Sequence, residues 1–79
     1  MTGQRIERLY AFVALEADGG EGVAAGTVPG TRLVMPLVGA DEARMRAERP
    51  RAQAIATELG VPLLLCRFDR RTDLERVDP

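Results

Sequence analysis

The chain contains no histidine, serine, lysine, asparagine or tryptophan, and a single cysteine, Cys66. Each absence closes a class of chemistry. Without Ser and His, neither a serine triad nor imidazole acid-base catalysis can be built within one chain. One thiol and no imidazole cannot supply the several Cys or His ligands that zinc sites of the usual kinds need. A lone Cys forms no intramolecular disulfide, so a reducing cytoplasm is the expected compartment. No apolar run approaches the ~18 residues of a membrane-spanning helix, and residues 1 to 15 carry no basic leader followed by a cleavable apolar stretch. Neither an integral membrane protein nor one secreted by that route is expected. An excess of one charge is missing too: eleven cationic and twelve anionic side chains leave a formal net charge of -1. That is far from the basic surplus that supplies most non-specific affinity for nucleic acid, so a nucleic-acid partner is not expected. All eleven cations are arginine. The missing residues are largely those with AT-rich codons, which points to coding bias in a GC-rich genome more than to selection for bidentate Arg chemistry.

What is present suffices for one folded domain: 79 residues, 46% of them hydrophobic and 29% charged, with turn signals between apolar runs. Ile6 to Glu16 (IERLYAFVALE) is rich in β-formers, and Leu9 to Leu15 is apolar throughout apart from the Tyr10 hydroxyl. This predicts a strand covered on both faces. Ala17 to Gly22 (ADGGEG) has the composition of a reversal, and VAAGTV from Val23 leads to Pro29 and Gly30, which suit the two central positions of a type II turn. A third strand, Arg32 to Val38, contains Pro36, which cannot donate to a ladder, so an edge or bulged position is expected.

At Asp41 the pattern becomes helical: an N-cap residue, Glu42 in the first turn, then Met45, Ala52, Ile55, Ala56 and Leu59 at three-to-four spacing. Gly60 and Pro62 end it. Pro50 lies inside this run, where an unbroken helix would lose about 3 kcal/mol, so the helix is expected to kink there or to divide into 42 to 48 and a second piece starting near Pro50. Pro62 to Phe68 (PLLLCRF) reads as a last strand, and Thr72 with Glu75 matches a capping box for a terminal helical turn through Val77. The order β-β-β-α-β predicts an α+β domain, a three- to four-stranded mostly antiparallel sheet with one Pro-kinked or divided helix on one face. A right-handed crossover would set the last strand beside the first, in strand order 3-2-1-4.

Few constellations carry chemistry. Cys66 shares a strand side with Leu64 and Phe68, where a thiol packs as a small apolar group rather than serving as a nucleophile. Glu16, Asp18 and Glu21 surround Gly19, Gly20 and Gly22; an oxygen site for a hard cation is conceivable, but the spacing does not match the twelve-residue calcium loop, and a plain acidic hairpin explains the residues. The glycines at 20, 22 and 26 follow a strand like a nucleotide-binding loop, yet they lead into extended residues and enclose Glu21, which repels phosphate. Arg44, Arg46, Arg49 and Arg51 form the densest basic cluster, with Arg70 and Arg71 a second. Glu42 with Arg46 and Glu48 with Arg51 have helical ion-pair spacing, as on a solvated face. Arg44, Arg51, Arg70 and Arg71 remain the candidates for binding a small anionic ligand such as a nucleotide.

MPLVGAD (Met35 to Asp41), RPRAQAIA (Arg49 to Ala56) and the following LLCRF resemble segments of short uncharacterised proteins of actinobacteria and their phages. The likeness covers about half the chain. It implies a compact stand-alone domain of that type and carries no catalytic residue across.

No catalytic residue, metal ligand or cofactor is therefore assigned. Both faces of the predicted sheet are apolar, Tyr10, Phe12 and Ala14 on one side of the first strand and Leu9, Ala11, Val13 and Leu15 on the other. One helix of fewer than twenty residues covers one of them. The other leaves several hundred Å² of apolar surface, near the limit for a soluble monomer. Burying ~600 Å² of it would favour association by about 15 kcal/mol before entropic and polar costs. The expectation is a non-enzymatic protein-binding or assembly module acting as a homo-oligomer, with Tyr10, Phe12, Leu33, Met35 and Leu65 as candidate interface residues. A small anionic-ligand binder and, third, a small enzyme working through Cys66 or the acidic loop are the rivals.

Overall fold

The computed structural model describes residue 3 and residues 5–79. Six short strands and two helices follow in the order β1 (Leu9–Leu15), β2 (Glu21–Val23), β3 (Ala25–Thr27), β4 (Val34–Pro36), β5 (Val38–Gly39), α1 (Glu42–Ala47), α2 (Arg49–Leu59) and β6 (Leu63–Phe68). The fold is α+β with antiparallel pairing throughout. Among the described residues no helix is long and apolar enough to cross a membrane.

The apolar run Leu9 to Leu15 occupies the sheet centre, with β6 along one edge in the register Ala11 to Cys66 and Val13 to Leu64. The other edge departs from the expected order 3-2-1-4, because β2 and β5 share it: β2 pairs with residues 13 to 15 of β1 and β5 with Tyr10 and Ala11. Between them the sheet forks. Phe12 N–H donates to Leu37 C=O at 3.1 Å, Leu37 N–H to Ala24 C=O at 2.8 Å, and Ala24 N–H to Phe12 C=O at 2.8 Å. This closed ring of three backbone hydrogen bonds satisfies the groups left over where one ladder divides into two. Beyond it, β3 and β4 leave β1 and pair only with each other as a two-stranded arm. The two strands expected over 23–28 and 32–38 are thus each broken once, at Ala24 and Leu37. Pro36 ends β4 on this arm, one residue before the fork, where its missing N–H is tolerated.

The turns follow their sequence chemistry. Gly30 has φ 77°, and Thr31 N–H donates to Val28 C=O at 3.1 Å, as a Pro-Gly type II turn requires. In the β1–β2 reversal Gly19 has φ 89°, and the Asp18 carboxylate accepts the Gly20 N–H at 2.7 Å.

The helical segment is divided, not kinked. α1 ends at Ala47, and Pro50 lies in the first turn of α2, where its absent N–H is no loss. Asp41 caps α1, its Oδ1 accepting from Ala43 N at 2.8 Å and Arg44 N at 3.3 Å. Asp41→Ala is expected to cost about 1 kcal/mol, seen as a lower urea midpoint with unchanged slope. Gly60, at φ 70°, ends α2 and donates to Ala56 C=O at 2.8 Å. The helical turn expected from Thr72 to Val77 does not form; residues 69–79 carry no helix or strand. A single turn without a docking surface does not recover its nucleation cost, and Leu74 and Val77 find none, both being exposed.

The helices lie on the face of β1 that carries Tyr10 and Phe12. The core there is Tyr10, Phe12, Ala24, Leu37, Met45 and Ala52, with Ile55, Leu63 and Leu65 packed against it.

Candidate functional site

Among the described residues the opposite face of the sheet carries no helix. Strand alternation sends the odd positions of β1 there, and the register sets their neighbours beside them. Val23, Val13 and Leu64 form one row, Val38, Ala11 and Cys66 a second, and Leu9 with Phe68 a third. Every side chain in these rows is apolar or a thiol. Ala11 and Val13, in the centre, are buried between the flanking strands. The flanks themselves are open, with Val23 56%, Leu64 47% and Phe68 51% exposed.

Two further measurements agree with an unfinished surface. The chain exposes 6763 Å², against ~4,700 Å² for a compact monomer of 8.6 kDa. Its radius of gyration is 14.6 Å, against ~11.6 Å for this length. Residues 69–79, all exposed and without helix or strand, contribute to both differences.

The five residues expected at an interface do not lie on this face. Tyr10, Phe12 and Leu65 point to the helices and belong to or pack on the core. Leu33 and Met35 are exposed but sit at and on the outer arm, where Met35 pairs with Gly26. Composition could not choose between the two apolar faces, since both have the right parity for burial. A signal did exist in the glycines. Gly39 is opposite Tyr10, and a Cβ on it would come within 2.9 Å of the Met45 sulfur. Glycine in that row marks where a helix approaches the sheet.

The arginine candidates separate into two places. Arg44 and Arg51 line a cleft of about 510 Å³ between the arm and α1, with Val28, Met35 and Val38, and with the carboxylates of Asp41 and Glu48. Arg51 is engaged there: it pairs with Glu48 at 3.2 Å and donates to Thr27 C=O at 3.3 Å. Arg44 has no ion-pair partner among the described residues. Arg70 and Arg71 stand elsewhere, beside Ile6, Glu7, Arg8, Leu9 and Phe68. Arg71 is held by Asp73 at 2.7 Å and donates to Ile6 C=O at 3.2 Å. No single site gathers the four. Arg46 pairs with Glu42 at 2.9 Å as its spacing predicts, an exposed pair worth a few tenths of a kcal/mol (roughly 0.3 to 0.5).

Among the described residues no three His, Cys, Asp or Glu side chains converge as metal ligands. Glu16, Asp18 and Glu21 are exposed around the hairpin, and Asp18 is used by the turn. Cys66 is half-buried and stands opposite Ala11 in the sheet. Comparison with protein-family models, with curated proteins and with solved structures finds no match for the chain.

Proposed function

We propose that the protein is a non-enzymatic assembly module that self-associates in a reducing cytoplasm through the open face of its sheet. The observation that carries this reading is the helix-free apolar face of the sheet, in which buried Ala11 and Val13 on the central strand are flanked by exposed Val23, Leu64, Leu9 and Phe68. A chain this small buries little, and among the described residues no side chain is less than 2% exposed. A second copy of the same face supplies the missing layer at the spacing of two packed sheets, ~10 Å. It also satisfies the symmetry of most soluble oligomers. No side chain in the rows of this face is charged, which suits an apolar partner surface better than a charged ligand.

Sedimentation equilibrium at micromolar concentration is expected to give a multiple of 8.6 kDa. Val23→Glu is expected to lower that mass while leaving the circular dichroism spectrum intact, because Val23 is half exposed in the single subunit and a carboxylate there meets water. A wild-type chain that sediments as a stable monomer overturns the reading.

The cleft shared by Arg44 and Arg51 favours a second reading, a site for a small anionic ligand such as a nucleotide. Asp41 and Glu48 line the same cleft and oppose an anion, which ranks this reading below the first. A thermal-shift series against a nucleotide panel separates them, since a specific ligand raises stability as RT ln(1 + [L]/Kd), and an assembly module shows no rise.

A further inference from the structure

The sheet has a second unpartnered surface, the outer edge of β6. Among the described residues β6 pairs with β1 alone. The directions of its backbone groups follow from one hydrogen bond: Leu15 N–H donates to Pro62 C=O at 3.0 Å, at the position that continues the register Ala14 to Leu63. In an antiparallel pair, residues bonded to the neighbour alternate with residues whose groups point away. Pro62, Leu64, Cys66 and Phe68 therefore bond to β1, while Leu63, Leu65 and Arg67 aim their N–H and C=O groups outward. β1 shows the same alternation, Phe12 giving both its groups to Leu37 and Ala24 on the far edge. Exposed edges are usually blunted by proline, bulges or several charges. Here Pro62 turns its missing N–H toward β1, the strand is regular, and Arg67 is its only charged residue.

We propose that this edge pairs with the same edge of a second copy, antiparallel across a two-fold axis centred on Leu65. In that register Leu65 stands opposite Leu65 of the partner subunit, and Leu63 opposite the partner's Arg67. All three outward residues meet outward residues, forming about six ladder hydrogen bonds. Neighbouring registers do worse. Centring on Leu64 sets Arg67 against Val61, whose N–H already donates to Ala56 C=O at 3.3 Å. Centring on Cys66 sets Leu63 against Asp69, beyond the strand, and centring on Arg67 opposes two like charges. The occupant is a second copy because the edge is self-complementary about Leu65: its outward residues Leu63, Leu65 and Arg67 meet the same three on the partner, and Arg67 faces an apolar residue instead of a like charge.

Edge pairing is distinct from the face contact and uses other atoms. Its axis runs normal to the sheet, whereas face pairing needs an axis in the sheet plane. With the two axes intersecting, the two contacts generate a closed tetramer of four copies with 222 symmetry, in which two continuous sheets stack with the helices outside.

Amide hydrogen exchange of the wild-type chain, followed by NMR, tests the proposal directly. Leu63, Leu65 and Arg67 are expected to exchange ~100-fold or more slowly than unprotected amides, alongside Leu64 and Cys66. Free exchange at these three with protection retained at Leu64 and Cys66 overturns it. The second measurement is sedimentation of Arg67→Pro against Arg67→Ala. Proline at 67 removes an outward N–H without breaking a bond to β1. It is expected to halve the wild-type mass where alanine leaves it unchanged; an unchanged mass for both overturns the edge contact. Val23→Glu separates the two surfaces: a variant that loses mass but keeps Leu63, Leu65 and Arg67 protected has lost the face contact and retained the edge.

Discussion

Phe12→Ala is expected to leave the chain largely unfolded at room temperature. Phe12 is 5% exposed and lies in the core with Tyr10, Ala24, Leu37, Met45 and Ala52. Its backbone is one corner of the hydrogen-bonded ring at the fork, so its side chain fills the space beneath the point where three chain segments meet. Truncating a buried phenylalanine costs about 3 to 5 kcal/mol through lost transfer energy and the cavity left behind. A domain of 79 residues has roughly 4 to 12 kcal/mol in total, and a core of nine buried hydrophobic residues places this one toward the lower end. Circular dichroism and urea titration check the expectation. A cooperative transition displaced by under ~1 kcal/mol would show that the fork does not depend on the ring beneath it. Phe12→Leu, which keeps most of the volume, is expected to fold with a loss of about 1.5 kcal/mol or less.

Met45→Ala is expected to destabilise the domain by about 2 to 4 kcal/mol and to release α1 first. α1 has six residues and buries one of them, Met45. A helix of that length does not persist without tertiary support. Met45 supplies that support by seating its thioether over Gly39, at the place a Cβ would otherwise occupy. Once the side chain is gone, the Asp41 cap and the Glu42–Arg46 pair remain, together worth about 1 to 2 kcal/mol. That is too little to hold six residues in place. Hydrogen exchange should show early opening at Met45 and Arg46 while β1 and β6 stay protected. Uniform loss of protection across the chain would instead mean that α1 and the sheet unfold as one unit.

The elements visible in the sequence are those whose causes are local. Leu9 to Leu15 is a strand because it is a seven-residue run of β-formers and alanine. Pro29 and Gly30 make their turn because one fixes φ and the other accepts a positive value. Asp41 starts a helix and Gly60 stops one through hydrogen bonds to residues within four positions. Pro50 divides the helical segment because its ring excludes the preceding turn. Thr72 and Glu75 show the limit of such reasoning: their spacing suits a cap, but the apolar Leu74 and Val77 stay exposed and residues 69–79 form no helix.

Which side of each strand meets a helix was decided elsewhere. Tyr10 and Phe12 on one face, and Val13 and Leu9 on the other, have equal claims to burial by composition, and the side chains of a strand alternate whichever face is covered. The choice follows from where α1 and α2 land, and that rests on Gly39 leaving room for Met45 and on Ala52 lying close over Phe12. The fork is likewise non-local. Ala24 and Leu37 carry no bulge signature, and the breaks in their strands exist because three distant segments must share donors and acceptors at one point. By itself, then, the sequence determined the central strand, the bounds and division of the helical segment and the apolar character of both sheet faces. Only the tertiary structure decided that Val23, Val13, Leu64 and Phe68 form the open face and that Leu63, Leu65 and Arg67 form the open edge, because parity and register are properties of pairing between distant segments, not of any one segment.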